Sequence, residues 1–367
     1  MLKHTPTEEI SLGALIHNYR ALSAGGTEII PTVKADAYGH GALIVCRILL
    51  ALGARTLAVA NAKEALDLSP LFKNHDLCNE KFTYPHILIL GPVSEAVLPS
   101  LFSLPVIFSV HSLTYAKMLS REAQRRSLPH PLPIACKAET GMNRLGLSLR
   151  EARAVLRLPL LFPHTLYSHF GEGGSASGRT LLQKESFARF KAALAAEGTF
   201  PITHISASSA FCRFGAFGEG AARVGLALYG VSPVSTATAL LPVMRFLSTV
   251  LTVKRVRRGE GVGYGSYRAP KSMRIAVLGC GYADGIPLSA TGGALFFKGR
   301  RARVVGEVCM DRLLLDIGDA PAREGETVCL YGSEENPTAA VAEAFGVSPY
   351  RLLSVRSPRT ERVFVSS

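Results

Sequence analysis

A lysine at the end of an apolar segment is the first candidate for chemistry in this sequence. Ile29 to Val33 is a short β-branched run, and Lys34 follows it at the start of KADAYGHG. That order predicts a strand, a loop and a helix, with Lys34 at the carboxyl end of the strand, where parallel α/β folds place their chemistry. An apolar setting lowers the pKa of an ammonium group because it penalises the charged form. Lys34 is therefore a candidate amine nucleophile that can form a Schiff base with a carbonyl compound.

Hydroxyl and backbone groups elsewhere in the sequence are suited to binding a dianionic phosphate, which needs hydroxyls and backbone N–H groups. Tyr38 follows Lys34 by four residues, so its hydroxyl can turn back toward the same site. Ser208 and the Gly225–Leu226 backbone lie at the ends of, or within, the last two apolar runs of the first 235 residues. These positions predict a phosphate site beside the lysine.

Short apolar runs alternate with helical patterns in the first 235 residues. The runs lie at 29–33, 56–60, 86–91, 105–110, 134–139, 165–170, 202–206 and 222–230. Helices are predicted at 61–69, 112–126, 148–157 and 178–197. Eight strands alternating with helices predict an α/β fold, a parallel (β/α)8 TIM-like barrel with strands buried on both faces. An open doubly wound sheet is the alternative, but no GxGxxG follows the first strand.

The pattern changes near residue 235. Long β-rich runs follow Val243, separated by Gly and Pro turns, and only Thr338 to Phe345 has a helical pattern. We therefore predict a barrel domain over 1–235 and a mostly β C-terminal domain over 236–367. A short strand at 9–12 is predicted to lead into a helix, and Pro70 to Tyr84 is predicted to be a surface excursion of the barrel.

Composition indicates a large globular chain. A length of 367 residues fits about two domains, and 48% hydrophobic with 19% charged residues is enough to bury a large core. The N-terminus has no apolar signal core and no apolar run reaches the ~18 residues of a membrane span, so we expect a soluble protein. The seven scattered cysteines contain no CxxC pair, which predicts reduced thiols in a cytoplasm and argues against a disulfide frame or a metal site.

The net charge of +13 raises the question of nucleic-acid binding. The cations are dispersed, and the clusters at 254–258 and 298–303 lie in strand-like segments without interleaved aromatic residues. We therefore predict a solvated surface, with no nucleic-acid partner.

The segment PTVKADAYGHGA, Pro31 to Ala42, resembles the cofactor-lysine segment of the alanine racemases, which are pyridoxal-phosphate (PLP) enzymes. CKAETGMNRLG at 136–146 resembles their fifth-strand motif. Further matches occur in the family's order: YSHFGEGG at 167–174, ARVGLALYG at 222–230, GVGYGSYRA at 261–269, GCGYADGIP at 279–287, VGEVCMDRL at 305–313 and GVSPYRLLS at 346–354. Together they cover about residue 9 to residue 360.

The resemblance implies roles for these residues in binding the cofactor. Lys34 would hold PLP, and the phosphate would be bound by Tyr38, Ser208, the Gly225–Leu226 backbone and Tyr350. Arg144 would face the cofactor's phenolic oxygen and the substrate carboxylate. Lys137 is often carbamylated in this family, which turns a repelling ammonium into an acceptor for the arginine.

The resemblance also implies roles in proton transfer. His169 would lie against the cofactor ring, and Arg223 would bond the pyridine nitrogen. Because an arginine always donates, a pyridine nitrogen bonded to it carries no proton of its own. The ring is then a weaker electron sink, which favours returning a proton to Cα over transamination or decarboxylation. Tyr264 would be the second acid/base, serving the L-isomer while Lys34 serves the D-isomer. A tyrosine base needs a nearby cation, and Arg223 acting through His169 is the candidate relay.

The implied activity is interconversion of L- and D-alanine, which supplies D-alanine for peptidoglycan. The substrate pocket would include Tyr282, Met310 and Asp311, and a head-to-tail homodimer would carry Tyr264 and Met310 into the partner's site. The alternatives are a racemase of another amino acid such as serine or lysine, a decarboxylase of the same architecture, and a non-catalytic PLP-binding protein. The decarboxylase would need an acidic group where Arg223 stands, and the binding protein is a single-domain chain.

The sequence departs from the family pattern at several positions. Ala207 stands where an asparagine is common, so the choice of Ser208 over Ser209 rests on its spacing of fifteen residues to Arg223. Two glycines replace the usual acidic residues after His169–Phe170, and the pair before the phosphate tyrosine also differs; these positions are Gly173, Gly174, Ser348 and Pro349.

Overall fold

Sixteen strands, ten right-handed α-helices and four short 3-10 helices are found in the described part of the chain, which in this computed structural model is residues 5–72, 85–198, 200–232 and 234–366. The strands are β1 Thr7–Ser11, β2 Glu28–Pro31, β3 Thr56–Val59, β4 His86–Ile89, β5 Val106–Val110, β6 Leu132–Lys137, β7 Leu161–Tyr167, β8 Ile202–His204, β9 Ala221–Val224, β10 Met244–Val256, β11 Met273–Leu278, β12 Ala294–Phe297, β13 Arg300–Val304, β14 Leu313–Asp316, β15 Thr327–Tyr331 and β16 Glu361–Val365. The helices are α1 Leu12–Ser23, α2 Ala42–Ala51, α3 Ala62–Asp67, α4 Leu98–Leu101, α5 Leu113–Arg125, α6 Leu149–Leu156, α7 Gly178–Leu194, α8 Ser208–Phe214, α9 Thr338–Ala344 and α10 Pro349–Ser354.

Strands β2 to β9 close into a parallel barrel. β3 to β8 form a continuous sheet in chain order, and β2 pairs with β9 in parallel register. Parallel bridges between Thr32 and Ala58 and between Ala207 and Arg223 complete the circle on either side of the β2–β9 pair. The predicted (β/α)8 barrel is confirmed, and its eight strands lie within a few residues of the predicted runs.

The barrel interior is filled by side chains. One inward-facing residue from almost every strand contributes to a buried layer, which consists of Ile30, Ala58, Leu88, Ile107, Ala135, Tyr167 and Ala221, with Ile202 partly buried against it. The opposite faces of the strands pack on the surrounding helices in the main core. This burial on both faces explains why the strands are short uninterrupted apolar runs.

Most barrel helices begin at a polar residue whose side chain accepts a backbone N–H, which satisfies a donor of the first turn. Ser148 forms a capping box with Glu151, and simpler caps occur at Ser11, Asn61, Ser112 and Ser177. These five caps mark where their helices start, and with that where the preceding loops end.

The C-terminal part is a mixed sheet in the order β12, β13, β14, β11, β10, β1 and β16, with β15 also paired to β10. β1 belongs to this sheet: Thr7–Ser11 pairs antiparallel with β10 and parallel with β16. The predicted strand at 9–12 is thus present, but its partners are more than 200 residues away in sequence, as the pairing of Glu9 with Arg245 shows.

A local feature of the C-terminal part differs from the sequence prediction. A second C-terminal helix, Pro349–Ser354, was missed because it is short and has a proline in its first turn. The excursion predicted at Pro70–Tyr84 falls largely on residues 73–84, outside the described residues. Within the described ranges, every helix is too short or too polar to cross a bilayer.

Candidate active site

A cavity of about 510 Å³ opens at the carboxyl ends of the barrel strands. Its walls carry residues from the loops after nearly all of these strands. The candidate residues that line it are Lys34, Tyr38, Lys137, Arg144, His169, Ser208, Arg223, Gly225 and Tyr350. The barrel therefore brings together groups that are distant in sequence.

The cavity carries a large excess of positive charge. Four of its lining side chains are cationic groups, namely Lys34, Lys137, Arg144 and Arg223, and none of the described lining residues is a carboxylate. Burying like charges together is unfavourable without a compensating anion. The donor set therefore fits a ligand with a dianionic phosphate and further anionic oxygens, such as PLP with a bound amino acid.

Lys34 begins an unusual left-handed turn. Its four successors, Ala35 to Tyr38, all have φ between 52° and 56°, although none is a glycine. This conformation costs an L-residue about 1–2 kcal/mol, so surrounding contacts must hold it. The Glu64 carboxylate accepts from the Ala35 N–H at 2.9 Å, and the Asp36 carboxylate accepts from the Ala42 N–H at 2.7 Å. We refer to Lys34–Tyr38 as the lysine turn.

The surroundings of Lys34 lower the pKa of its ammonium group. Burial is the main cause, and the positive charges of Arg144 and Arg223 act in the same direction, opposed by Glu64. A lowered pKa increases the fraction of free amine, which is the form that attacks a carbonyl or accepts a proton.

A short loop after β6 positions Arg144 beside Lys137. The Glu139 carboxylate accepts from the backbone N–H groups of Gly141, Met142 and Asn143, at 2.7, 2.9 and 3.1 Å, and so fixes the turn that leads to the arginine. The pKa of Lys137 is lowered to about 8, mainly by burial and further by the charges of Arg144 and Arg223. The lowered pKa increases the fraction of free amine at Lys137 near neutral pH.

Arg223 is buried and donates to several acceptors. Its Nη2 donates to the Ser168 carbonyl at 2.7 Å and to His169 Nδ1 at 3.1 Å, and its Nη1 donates to His204 Nδ1. Burial lowers the pKa of Arg223 only to about 10, so it stays charged near neutral pH. Burial and the charge of Arg223 lower the pKa of His169 to about 3 and that of His204 well below its usual value. Because a guanidinium only donates, His169 accepts at Nδ1 and carries its proton on Nε2.

Four of the residues predicted to bind phosphate, Tyr38, Ser208, Gly225 and Tyr350, line the cavity. Ser208 Oγ accepts from the N–H groups of Gly225 at 3.0 Å and Ala227 at 3.3 Å, which ties the start of α8 to the segment after β9. The ring of Tyr38 lies 5.9 Å from that of Tyr350, centroid to centroid. Leu226 is buried and its side chain does not line the cavity. The structure therefore brings both tyrosines, Ser208 and Gly225 together.

Unlike Tyr350, the C-terminal residues predicted to transfer protons or contact the substrate do not line the cavity of the same chain. Tyr264, Tyr282 and Met310 are exposed by 68%, 42% and 50%. The last two are neighbours, because the N–H of Tyr282 donates to the Cys309 carbonyl at 3.0 Å. Asp311 forms an ion pair with Arg359 at 2.7 Å. The hydrogen bond from Arg223 to His169, the first part of the predicted relay, is present, but Tyr264 does not line the cavity of its own chain.

Sequence reasoning missed several residues that shape the site. The ring of Tyr167 lies beneath Arg223, 4.9 Å from the guanidinium carbon, and its hydroxyl is 2.5 Å from Ser109 Oγ. Gln183, buried in α7, accepts from the Gly171 N–H at 2.8 Å and donates to the His169 carbonyl at 3.1 Å. Tyr167 is the first residue of the YSHFGEGG motif, two residues before His169, so the motif could have indicated it. Nothing in the sequence indicates Gln183. No group of three or more His, Cys, Asp or Glu side chains in the described ranges is placed to hold a metal ion.

Two domain families of the same enzymes match nearly the whole chain. Residues 10–233 match the family described as alanine racemase, N-terminal domain, and residues 243–364 match the alanine racemase C-terminal domain. An alanine racemase of Desulforamulus reducens is 33% identical over 97% of this chain and 98% of its own length. One from Mycobacterium tuberculosis is also 33% identical, over 95% of this chain and 93% of its own.

Solved structures give the same family. The biosynthetic alanine racemase of Pseudomonas aeruginosa has a TM-score of 0.86 and 30% identity, covering 99% of both chains. The alanine racemase of Bartonella henselae, solved with covalently bound pyridoxal phosphate, has a TM-score of 0.86 and 25% identity, covering 98% of this chain and 99% of that one.

Gly225 provides a test of the phosphate end of the cavity. A Cβ at this position would lie 2.5 Å from the Tyr38 hydroxyl oxygen, so Gly225→Ala must displace the tyrosine or the loop. We expect the dissociation constant for PLP to rise at least about tenfold, which corresponds to a loss of about 1.4 kcal/mol of binding free energy. Fluorescence titration of the PLP-free protein measures it.

The matched control is Gly220→Ala. Gly220 directly precedes β9 and Gly225 directly follows it, but an added Cβ at Gly220 meets nothing within 4 Å. Equal PLP affinity in both variants would show that the Gly225–Tyr38 approach does not shape the phosphate site.

Proposed function

The chain belongs to the alanine racemase family, and on that premise we propose which of its residues carry out the reaction and how the active site is assembled. It is a PLP-dependent isomerase that interconverts L-alanine and D-alanine. The observation that carries the proposal is a cavity in which a lysine with a lowered pKa stands among three other cationic side chains.

Bound PLP supplies an electron-withdrawing ring that makes the substrate's α-proton acidic. Lys34 is the residue proposed to hold it, while its phosphate is bound by Tyr38, Ser208, Tyr350 and the Gly225–Leu226 backbone. The positive charge of the cavity supports the binding of an anionic cofactor here, because none of the described lining residues is a carboxylate that could neutralise the four cationic side chains. Arg144 is proposed to orient the substrate carboxylate through charge-assisted hydrogen bonds.

Racemisation needs two bases on opposite faces of the α-carbon, because a single base tends to return the proton to the face from which it came. We propose that Lys34 exchanges the proton of the D-isomer and Tyr264 that of the L-isomer. The lowered pKa of Lys34 supports a base role, since it increases the fraction of free amine.

Arg223 is proposed to bond the pyridine nitrogen. Its guanidinium is fixed by Ser168, His169 and His204, and it remains charged when buried. A permanent cation at that nitrogen excludes a proton there, which limits delocalisation into the ring and favours prompt return of a proton to Cα. His169, neutral and with its proton on Nε2, is proposed to connect Arg223 with Tyr264.

A head-to-tail homodimer is proposed to complete each active site. Tyr264, Tyr282 and Met310 are large apolar side chains exposed on the single chain, and such groups mark interaction surfaces when they cluster. We propose that Tyr264 and Met310 enter the partner's cavity and that Tyr282 and Asp311 also contact the substrate. In this arrangement the chain divides near residue 235 into a cofactor-binding barrel and a β-rich domain that carries the tyrosine and also includes β1 from the N-terminus.

The product, D-alanine, is proposed to serve peptidoglycan synthesis in the cytoplasm. The six described cysteines are free thiols, which is consistent with a reducing compartment.

Substituting Lys34 tests its role as the cofactor lysine. In Lys34→Ala we expect no borohydride-reducible link between protein and PLP, and no D-alanine from L-alanine, because the only proposed amine nucleophile is gone. Mass spectrometry detects the reduced adduct, and chiral chromatography of a panel of L-alanine, L-serine and L-lysine gives activity and substrate preference. Retention of an unchanged adduct in the variant would refute the assignment.

Substituting Tyr264 tests both the second base and the shared site. Tyr264→Phe is expected to bind PLP normally while racemisation falls about 10²–10⁴-fold. When Tyr264→Phe and Lys34→Ala proteins are dissociated and reassociated together, each mixed dimer has one intact site. Random reassortment would then restore about a quarter of wild-type activity. No recovery, with mixed dimers demonstrated by native mass spectrometry, would place both groups in one chain's site.

Carbamylation of Lys137 is proposed, and its dependence on pH tests it. Free amine reacts with CO2, so at a fixed concentration of dissolved CO2 incorporation at Lys137 should rise from about pH 6 to pH 8, as the amine with a pKa of about 8 loses its proton. A carbamate signal in ¹³C NMR with labelled bicarbonate measures it. Lys137→Arg keeps the positive charge and should lose the signal; persistence of the signal would assign it to another amine.

A further inference from the structure

The last strand of the chain reaches the lysine turn and holds it. Arg362, in β16, donates from Nη2 to the Asp36 carboxylate at 2.5 Å and to the Gly39 carbonyl at 2.8 Å. Its side chain is 16% exposed. A single guanidinium from the C-terminal sheet therefore binds both a residue inside the turn and the residue directly after it.

Other residues near the C-terminus also lie against the lysine turn and the glycine that follows it. Arg356 Nη1 lies 3.7 Å from the Asp36 carboxylate, while its Nε contacts Glu8 of β1 at 2.5 Å. The Leu353 carbonyl lies 2.1 Å from where a Cβ on Gly39 would stand, so the two backbones touch. The turn is thus enclosed by the end of the chain over residues 353–362.

The geometry of the turn explains why this enclosure matters. Lys34 is its first residue and Tyr38 its last, so the handedness of the turn decides how the amine and the phenol are aimed relative to each other. A left-handed conformation of four L-residues is unstable alone and persists only when contacts from outside determine it. Relaxation to the ordinary right-handed form would redirect both side chains.

We propose that Arg362 is a positioning residue for Lys34 and Tyr38: by binding Asp36 and the Gly39 carbonyl it locks the lysine turn, and it thereby couples PLP binding to the order of the C-terminal strand. This inference rests on the proposed role of Lys34 as the cofactor lysine. Coupling between two sites is reciprocal. If Arg362 favours the conformation that binds PLP, PLP must in turn stabilise the strand that carries Arg362.

The reciprocity gives a measurement that does not depend on turnover. In the wild type, saturation with PLP is expected to slow hydrogen exchange of the β16 amides, Glu361–Val365. In Arg362→Gln that protection should disappear and the dissociation constant for PLP should rise about tenfold or more. Arg362→Lys keeps a cation with a different donor geometry and should recover part of the affinity.

The matched control is Arg245→Gln. Arg245 lies in the same sheet and forms an ion pair with Glu9 at 2.9 Å, but it does not contact the lysine turn. This variant should keep both the PLP affinity and the PLP-dependent protection of β16. Asp36→Asn is the second variant, used if Arg362→Gln does not fold; it removes the charged partner while Arg362 can still donate to Gly39, and it should weaken PLP binding in the same direction.

Two results would overturn the proposal. One is PLP affinity in Arg362→Gln, or in Asp36→Asn when the first variant does not fold, equal to that of Arg245→Gln. The other is a PLP-dependent protection of β16 that survives in the same variant. Either outcome leaves the role of Lys34 standing, because that role is tested by the reducible adduct in Lys34→Ala. Loss of the adduct from Arg362→Gln at saturating PLP would support the proposal in its strongest form.

Discussion

Positive charge gathered in one cavity is the constraint on which the rest of the structure depends. The pKa of Lys34 is lowered from its usual value, that of Lys137 to about 8, that of Arg223 to about 10 and that of His169 to about 3. Each shift opposes protonation and has burial as its main cause, with neighbouring cations acting in the same direction. A phosphate and a carboxylate bound in this space would relieve the repulsion between the cationic side chains, so the bound ligand would balance the positive charge at the mouth of the barrel.

The arrangement around Arg223 shows how a buried cation is kept both charged and still. Two imidazoles face it through Nδ1, and both are neutral because burial and the arginine itself lower their pKa values. The guanidinium also donates to the Ser168 carbonyl, and it packs against the ring of Tyr167. The hydrogen-bond directions leave one consistent choice of tautomer for His169. The same network that orients the arginine therefore also decides which nitrogen of His169 is free to act.

The barrel and most of its site were predictable because they are local in sequence. Apolar runs mark the strands of three to seven residues that are buried on both faces, and residues at or just after the carboxyl ends of most of these strands line the cavity. The lysine turn was not predictable, since alanine disfavours positive φ and the side chains that contact the turn, such as Glu64 and Arg362, are distant in sequence. Membership of β1 in the C-terminal sheet and the role of Gln183 likewise depend on partners that are distant along the chain.

The separation of Lys34 from the exposed Tyr264 has a physical consequence for how such a site can work. A base fixed in the barrel reaches a planar ligand from the face on which its own loop lies, and the barrel floor beneath that ligand is already filled by packed side chains. A second base for the opposite face must then come from outside the barrel. Supplying it from another module closes the mouth of the cavity at the same time, so the proposed assembly would exclude water in the step that completes the pair of bases. The exposure of Tyr264 in the single chain is what this arrangement requires.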